Sequence, residues 1–204
     1  MFRKSLNKLR SKCPSKCILP SDPEILMTYR LLQQTLFWII DRFKKGNQTI
    51  KWIILAEAPL SYMDYIYNPV NEEQTPFMTF KNVAEASKRC ISTKMEMIKA
   101  LVDYGILIID IYPLALPSDC YKNPNFYDPN ELNDYWDGLV KKIEPVINKK
   151  DVRVVLRYKR YQNKKYHGIK DVNKFISKIS NSVPGCIGSD NMPLDKTLFN
   201  KLFI

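Results

Sequence analysis

Three short apolar runs constrain the fold of this chain most strongly. They are Trp52–Ala56, Ile106–Ile111 and Val152–Leu156. Runs of this length, with almost no polar alternation, are typical of strands buried on both faces of a parallel sheet. Segments with helical periodicity separate the runs, and parallel strands need long crossover connections of this kind. The pattern therefore predicts an α/β fold.

The remaining elements follow from periodicity and from turn residues. Pro23–Lys45 is a long amphipathic pattern that we expect to be capped at Asp22 and to stop at Gly46–Asn47. Other helices are predicted at Lys81–Asp103 in two pieces, Asn130–Lys149, Asp171–Ile179 and Leu194–Phe203, and a short fourth strand at Ser182–Val183. The expected architecture is a three-layer αβα sandwich with a central, mostly parallel four-stranded sheet. A length of 204 residues suits one domain, so we predict a basic segment over 1–22 and a single domain over 23–204.

The charge of the chain favours an anionic partner. The net charge is +11, and nucleic acid is the commonest partner of such a surface, although the charge can also serve solubility alone. One cluster of cations, without any acidic residue, lies between Met1 and Lys16. A second cluster alternates with tyrosines, which suits a phosphate backbone with exposed bases. The predicted DNA contacts are Arg157, Lys159, Arg160 and Lys164, joined by Ser189 and Asn191 from the last loop.

Other classes of protein are disfavoured by what the sequence lacks. No stretch has membrane-spanning length, and the N-terminal residues lack the apolar core of a signal peptide, so we expect a cytoplasmic protein without a membrane partner. Cys13, Cys17 and Cys120 have no clear fourth ligand. His167 is the one histidine of the chain, which does not favour a metal site or a triad. We therefore predict no metal and no other cofactor, and no obligate protein partner.

Ligands bind parallel sheets outside the carboxyl ends of the strands. The loops expected there are Glu57–Pro69, Tyr112–Pro129, Arg157–Tyr166 and Pro184–Pro193. Glu57 directly follows the first strand, where it can orient a water beside the tyrosines of its loop. The alternative is that Glu57 caps the next segment and the tyrosines pack on the rim of the sheet. For the last loop a role in gripping DNA and an ordinary connection are equally open.

Asp110 is the single carboxyl inside the second apolar run. We expect it to be almost fully buried, and a buried carboxyl must be hydrogen-bonded or neutral. It is either a structural residue bonded to loop amides or a group that contacts a ligand at the carboxyl edge of the sheet, and we favour the second reading.

Three motifs, in this order along the chain, resemble the uracil-DNA glycosylase superfamily. The stretch AEAPL, Ala56–Leu60, resembles the GEAPG-like turn that ends the first strand in the iron–sulfur branches. The stretch LIIDIY resembles a later strand, often LLLNTV-like, whose polar residue reads the base, and Asp110 stands at that position. The stretch PGCIGSDNMP resembles the loop that enters the minor groove. The resemblance spans about residues 51–203.

The chain departs from the family pattern at several positions. Leu60 stands where the turn usually has glycine, and Ala58 stands where the classical uracil enzymes carry a catalytic aspartate. The histidine of the last loop is absent, and the cysteines do not complete an iron–sulfur cluster. We therefore expect a divergent member of the superfamily.

The resemblance implies a DNA glycosylase that flips a nucleotide and hydrolyses its N-glycosidic bond to leave an abasic site. It implies that Glu57 stabilises the sugar cation and positions a water, with Asp64 as the second candidate. Tyr67 or Phe77 would stack on the base, and Tyr65, Ala58 and Pro59 would complete its pocket.

Asp110 in place of asparagine points to a base other than uracil. A carboxylate accepts from the N4 amino group of cytosine, and a protonated carboxyl also donates to N3. We expect a cytosine-type base modified at C5, as in anti-phage defence against modified DNA. A nucleoside-type small-molecule hydrolase and a non-catalytic DNA-binding protein on the same scaffold remain as alternatives.

Overall fold

The structure is a computed structural model that describes most of the chain. The described residues are 2–12, 19–57, 65–70, 78–116, 126–157, 169–188 and 195–204. Their helices are α1 (Arg3–Lys12), α2 (Asp22–Lys45), α3 (Phe80–Ser87), α4 (Lys94–Asp103), α5 (Pro129–Ile143), α6 (Ile169–Ile179) and α7 (Lys196–Lys201). Their strands are β1 (Trp52–Ala56), β2 (Ile106–Asp110), β3 (Arg153–Leu156) and β4 (Gly185–Cys186). None of the described helices is long and apolar enough to cross a membrane.

The four strands form one sheet in the order β2-β1-β3-β4. Every neighbouring pair is parallel, and helices cover the sheet in a three-layer α/β arrangement. The predicted fold class is confirmed. β1 lies in the interior of the sheet, and its residues Ile53, Ile54 and Leu55 have no accessible surface, which is the burial that a wholly apolar run predicts.

The boundaries of several helices differ from the prediction: α6 begins at Ile169 rather than Asp171, and α7 spans Lys196–Lys201 rather than Leu194–Phe203. The cap of α2 is Ser21 rather than Asp22, because the Ser21 hydroxyl accepts from the Glu24 N–H while the Glu24 carboxylate accepts from the Ser21 N–H. Helix α5 ends at Ile143 instead of continuing to Lys149. A 3₁₀ turn with Pro145 follows it, since proline has no N–H to continue the α-helical ladder.

The fourth strand was also predicted three residues too early. The residues that pair with β3 are Gly185 and Cys186, not Ser182–Val183. Val183 is 93 % exposed, so its apolar side chain does not pack against the sheet. The strand is formed by two residues only, and neither has a strong preference for strands.

Helix α1 was not predicted, and it joins the basic segment 1–22 to the rest of the domain. Phe2, Leu6 and Leu9 are buried against the core. Their spacing of four and three residues gives α1 one apolar face. Glu131, in the first turn of α5, accepts from the N–H groups of Lys4 and Ser5, both at 2.9 Å. The N-terminal residues are therefore part of the folded domain.

Candidate active site at the carboxyl edge of the sheet

The carboxyl ends of β2, β1 and β3 bring two predicted site residues, Asp110 and Arg157, into one row with Ala56. Asp110 is the register partner of Ala56. Leu55 is the partner of Leu156, and the next residue, Arg157, donates its N–H to the Leu55 carbonyl at 2.9 Å. Arg157 therefore lies opposite Ala56, on the side away from Asp110. Neighbouring strands are about 4.8 Å apart, so the backbones of Asp110 and Arg157 are roughly 10 Å apart with a small residue between them.

Asp110 is partly accessible, although the four residues before it in β2 are buried. The expected near-complete burial is thus correct for the rest of the strand, whereas Asp110 as a whole residue is half-buried. Burial still raises the pKa of Asp110 to about 7, because the ionised form loses hydration. The Tyr135 hydroxyl donates to the Asp110 carbonyl at 3.1 Å, which fixes the backbone at this position.

Three tyrosines surround the Asp110 carboxyl. They are Tyr65, Tyr67 and Tyr135, and all three are buried. Burial raises the pKa of Tyr65 and of Tyr135, and the nearby Asp110 charge raises both further. These phenols therefore stay neutral, and no described cation contributes to the pKa of Asp110. A carboxyl with a pKa near 7 populates its protonated and its ionised form at neutral pH, and so can donate or accept a hydrogen bond.

The raised pKa of Asp110 predicts how the free energy of unfolding depends on pH. The usual pKa of the group is 3.8, and the folded value is about 7. Between these values the folded chain binds a proton that the unfolded chain does not, so this contribution to stability is full below pH 4 and is lost as the pH rises to 7. Three pKa units correspond to about 4 kcal/mol, and partial accessibility reduces the expected loss to about 2 kcal/mol.

Urea denaturation of wild type and Asp110→Asn between pH 4 and pH 8 measures this loss, because asparagine is neutral throughout. The two proteins should be similarly stable at pH 4, and the variant should become about 2 kcal/mol more stable at pH 8. Curves that stay parallel over the whole range would show that the Asp110 carboxyl is not held in its neutral form.

Glu57 follows β1 immediately and is partly accessible. Its backbone carbonyl accepts from the Tyr112 N–H at 2.9 Å, so the chain after β1 is joined to the chain after β2. Glu57 thus lies next to the Ala56–Asp110 pair in the chain, at the edge where the loops after the strands were predicted to meet. The ends of two neighbouring strands therefore carry two acidic residues, and acid–base chemistry commonly uses such pairs.

Tyr67 does not fit the predicted role of stacking on a base. Its side chain has no accessible surface, and its ring meets the Tyr65 ring edge-on with centroids 5.8 Å apart. Its hydroxyl accepts from the Ile108 N–H at 2.5 Å, on the open side of the edge strand β2. Tyr67 therefore satisfies a backbone donor that β2 cannot pair within the sheet. Tyr65 is 5 % exposed, and the Asp110 charge acts on both Tyr65 and Tyr67.

Arg157 is buried rather than displayed on the surface, with 9 % of its area exposed. Its guanidinium lies against Gly188, where a Cβ would be 2.1 Å from Nη1. The same Cβ would be 2.8 Å from the Arg157 carbonyl oxygen. The absence of a side chain at Gly188 therefore allows the last loop to approach β3. Because of this burial, Arg157 can make its predicted DNA contact only with groups that enter the row formed by Asp110, Ala56 and Arg157.

The contact at Gly188 predicts opposite effects of two glycine substitutions. Gly188→Ala should destabilise the fold by about 1–3 kcal/mol, because Arg157 backbone and side chain both have to move. Gly138→Ala is the matched control, since nothing lies within 4 Å of a Cβ there. Within α5 this change should stabilise by about 0.5–1 kcal/mol. Urea denaturation measures both. Equal effects of the two substitutions would contradict the close approach of Gly188 to Arg157.

The remaining predicted site residues lie outside the described residues. They are Ala58, Pro59, Asp64, Phe77, Lys159, Arg160, Lys164, Ser189 and Asn191. The same holds for Cys13, Cys17, Cys120 and His167. Where the structure does describe the chain, no three His, Cys, Asp or Glu residues are grouped so that they could hold a metal ion.

Two aromatic contributions to the edge were not predicted. Tyr135 and Trp136 come from α5 and donate to the carbonyls of Asp110 and Ile111, respectively, both at 3.1 Å. A buried Tyr or Trp needs a partner for its polar atom, and this is the signal in the sequence that could have indicated them. The partner itself is 25 residues earlier in the chain, so only the fold identifies it.

Comparisons of the chain with models of protein families, with curated proteins and with solved structures find no match.

Proposed function

We propose that the chain is a DNA glycosylase that receives a flipped base at the row formed by Asp110, Ala56 and Arg157. The observation that supports this most is the position of Asp110, a half-buried residue at a strand end whose carboxyl pKa is raised by burial to about 7. A group of this kind can read the hydrogen-bonding edge of a base from within an otherwise apolar sheet. Ala56, with its small side chain, leaves room between the two polar residues.

The chemistry of Asp110 favours a cytosine-type base over uracil. Position 4 of the pyrimidine carries an amino donor in cytosine and a carbonyl acceptor in uracil. A carboxyl oxygen accepts from the amino group, and the proton on the second oxygen matches the acceptor at N3. Because unmodified cytosine must be spared, we propose a substituent at C5 as the feature that marks the substrate.

Glu57 is proposed as the carboxylate that stabilises the developing sugar cation and positions the attacking water. Electrostatic stabilisation by a fixed group requires no covalent step from the protein. Its position next to the Ala56–Asp110 pair supports this role. The sugar of a flipped nucleotide is bonded to the base, so the sugar lies close to the residues that hold the base. Flipping the nucleotide out of the duplex costs roughly a few kcal/mol, and contacts in the pocket offset this cost.

The proposed setting is cytoplasmic defence against DNA that carries modified cytosine, with DNA as the macromolecular partner. The net charge of +11 supports a large anionic partner such as DNA.

The proposal is tested with duplexes that carry uracil, cytosine, 5-methylcytosine or 5-hydroxymethylcytosine, with abasic sites scored by alkaline cleavage. A double variant, Glu57→Gln with Asp110→Ala, provides the background. Abasic sites are expected with a C5-modified cytosine and not with cytosine. Release of uracil alone would contradict the assignment of the base. Binding of DNA without release of any base would indicate a non-catalytic DNA-binding protein, and hydrolysis of free nucleosides without DNA binding would indicate a small-molecule hydrolase.

A further inference from the structure

Helix α1 lies beside the carboxyl edge of the sheet, where the proposed site is. Its N-terminal residue Phe2 meets the Tyr127 ring edge-on, with centroids 6.4 Å apart. Tyr127 stacks on Tyr112, with centroids 5.0 Å apart and planes inclined by 12°. Tyr112 in turn donates its N–H to the Glu57 carbonyl. Three contacts thus connect the start of α1 to the backbone of Glu57, the candidate catalytic residue.

The start of α1 is held rigidly at this position. Glu131 receives the N–H groups of Lys4 and Ser5 and the Ser5 hydroxyl, the last at 2.6 Å. In return the Ser5 hydroxyl accepts from the Asp128 N–H at 2.9 Å. These hydrogen bonds join the N-terminus of α1 to that of α5, and they lower the pKa of Glu131, which keeps this carboxylate ionised.

The outer face of α1 carries unpaired cations. The helix contains no acidic residue, and Arg10 is engaged with Asp22. Arg3, Lys4 and Lys12 are exposed and Lys8 is partly so. None of these four forms an ion pair with a residue that the structure describes. Unpaired cations on a rigid helix bind a polyanion without first breaking internal contacts.

The apolar face of α1 decides between two anionic partners. A basic amphipathic helix can bind a membrane surface, but only if its apolar face enters the lipid. In α1 that face is Phe2, Leu6 and Leu9, which are at most 3 % exposed because they pack against the domain. The helix can offer charge but no apolar surface, and this combination suits the phosphate backbone of nucleic acid.

We propose that α1 binds the DNA phosphate backbone next to the nucleotide that is flipped into the site. The inference rests on the proposed function for its substrate and extends it by a contact surface on α1. The binding is electrostatic and independent of base sequence, so it increases affinity for every duplex to the same extent.

The test compares two triple variants of the full chain. The first combines Arg3→Gln, Lys4→Gln and Lys8→Gln on α1. The matched control combines Lys45→Gln, Lys149→Gln and Lys150→Gln, which are exposed at the end of α2 and before β3, on the opposite edge of the sheet. Both remove three charges, and circular dichroism checks that both remain folded.

Affinity for an unmodified duplex is measured between 50 and 300 mM salt. The α1 variant should bind at least about tenfold more weakly near 0.1 M salt, and the slope of log Kd against log salt should fall by about 2–3, since each lost phosphate contact removes about 0.9. The control should change affinity less than about threefold, because charges beyond a Debye length are screened. Equal losses in both variants would overturn the inference in favour of net charge alone.

Two further measurements separate the inference from its premise. Binding to vesicles of anionic phospholipid should be weak for all proteins, and a selective loss of vesicle binding in the α1 variant with unchanged DNA binding would overturn the inference. If the wild type releases no base but the α1 variant selectively loses DNA affinity, the proposed function fails and the DNA surface stands. If bases are released and α1 substitution leaves DNA affinity unchanged, the function stands and the inference fails.

Discussion

Asp110→Asn is expected to transfer the activity from a modified cytosine to uracil. The amide of asparagine places a donor where one carboxyl oxygen accepts, and this donor matches O4 of uracil instead of N4 of cytosine. A two-bond contact with a base edge contributes about 1–3 kcal/mol of discrimination, so excision of the cytosine-type base should fall about 5- to 150-fold. Single-turnover rates of abasic-site formation on both duplexes measure the change.

The control for Asp110→Asn is Asp110→Ala, which removes both hydrogen-bonding atoms. It should lower excision of the cytosine-type base as well but should not increase release of uracil. Because asparagine is also neutral, the fold should tolerate it at least as well as aspartate at neutral pH. An asparagine variant that retains full activity on the cytosine-type base would contradict the role of Asp110 in reading the base.

Glu57→Gln is expected to lower the rate of base release by about 10²- to 10³-fold while DNA affinity changes little. A fixed negative charge near the sugar stabilises the transition state more than the bound substrate, so its removal affects kcat rather than binding. Glutamine has nearly the same shape as glutamate, and the backbone bond from Tyr112 to the Glu57 carbonyl does not depend on the side chain. Single-turnover rates and duplex Kd are measured on the same preparation.

Glu144→Gln is a suitable control for Glu57→Gln, because Glu144 is an exposed glutamate at the end of α5. It should leave the rate unchanged. A Glu57→Gln enzyme with wild-type rates, or one whose loss lies entirely in DNA affinity, would show that Glu57 has no part in the chemical step.

The sheet could be predicted from the sequence where apolar runs identify buried strands. Trp52–Ala56 is a strand with those bounds, because five consecutive apolar residues have few other places in a fold of this size. The pairing strand at Gly185–Cys186 carries no such run. It is held by its two partners in β3, which is a tertiary effect that local preference does not contain.

Helix α1 was not predicted, because charged residues dominate its sequence. The segment is dominated by Lys and Arg, and its three apolar residues look scattered in the sequence, although Phe2, Leu6 and Leu9 recur at helical spacing. Tertiary burial rather than intrinsic preference stabilises such a short helix. This spacing indicates a helix, whereas the high content of Lys and Arg alone indicates only a basic segment.

The candidate site was predictable in its position but not in its surroundings. The positions of Asp110 and Glu57 could be predicted because both residues lie at strand ends. Parallel strands bring their carboxyl ends to one edge of the sheet. The structural role of Tyr67 was not predictable in the same way, since a tyrosine that bonds an edge strand and one that meets a ligand look alike in sequence. Which tyrosines surround Asp110 depends on α5 and on the chain after β1, and thus on packing.

The most direct test of the central claim is a crystal structure with a duplex that carries a C5-modified cytosine on a 2′-fluorinated sugar, which slows cleavage by destabilising the sugar cation. The account predicts that the modified nucleotide is extruded, with its N3 and N4 within about 3 Å of the Asp110 carboxyl oxygens and its sugar facing Glu57. A base that remains stacked in the duplex, or one bound away from Asp110, would contradict the account.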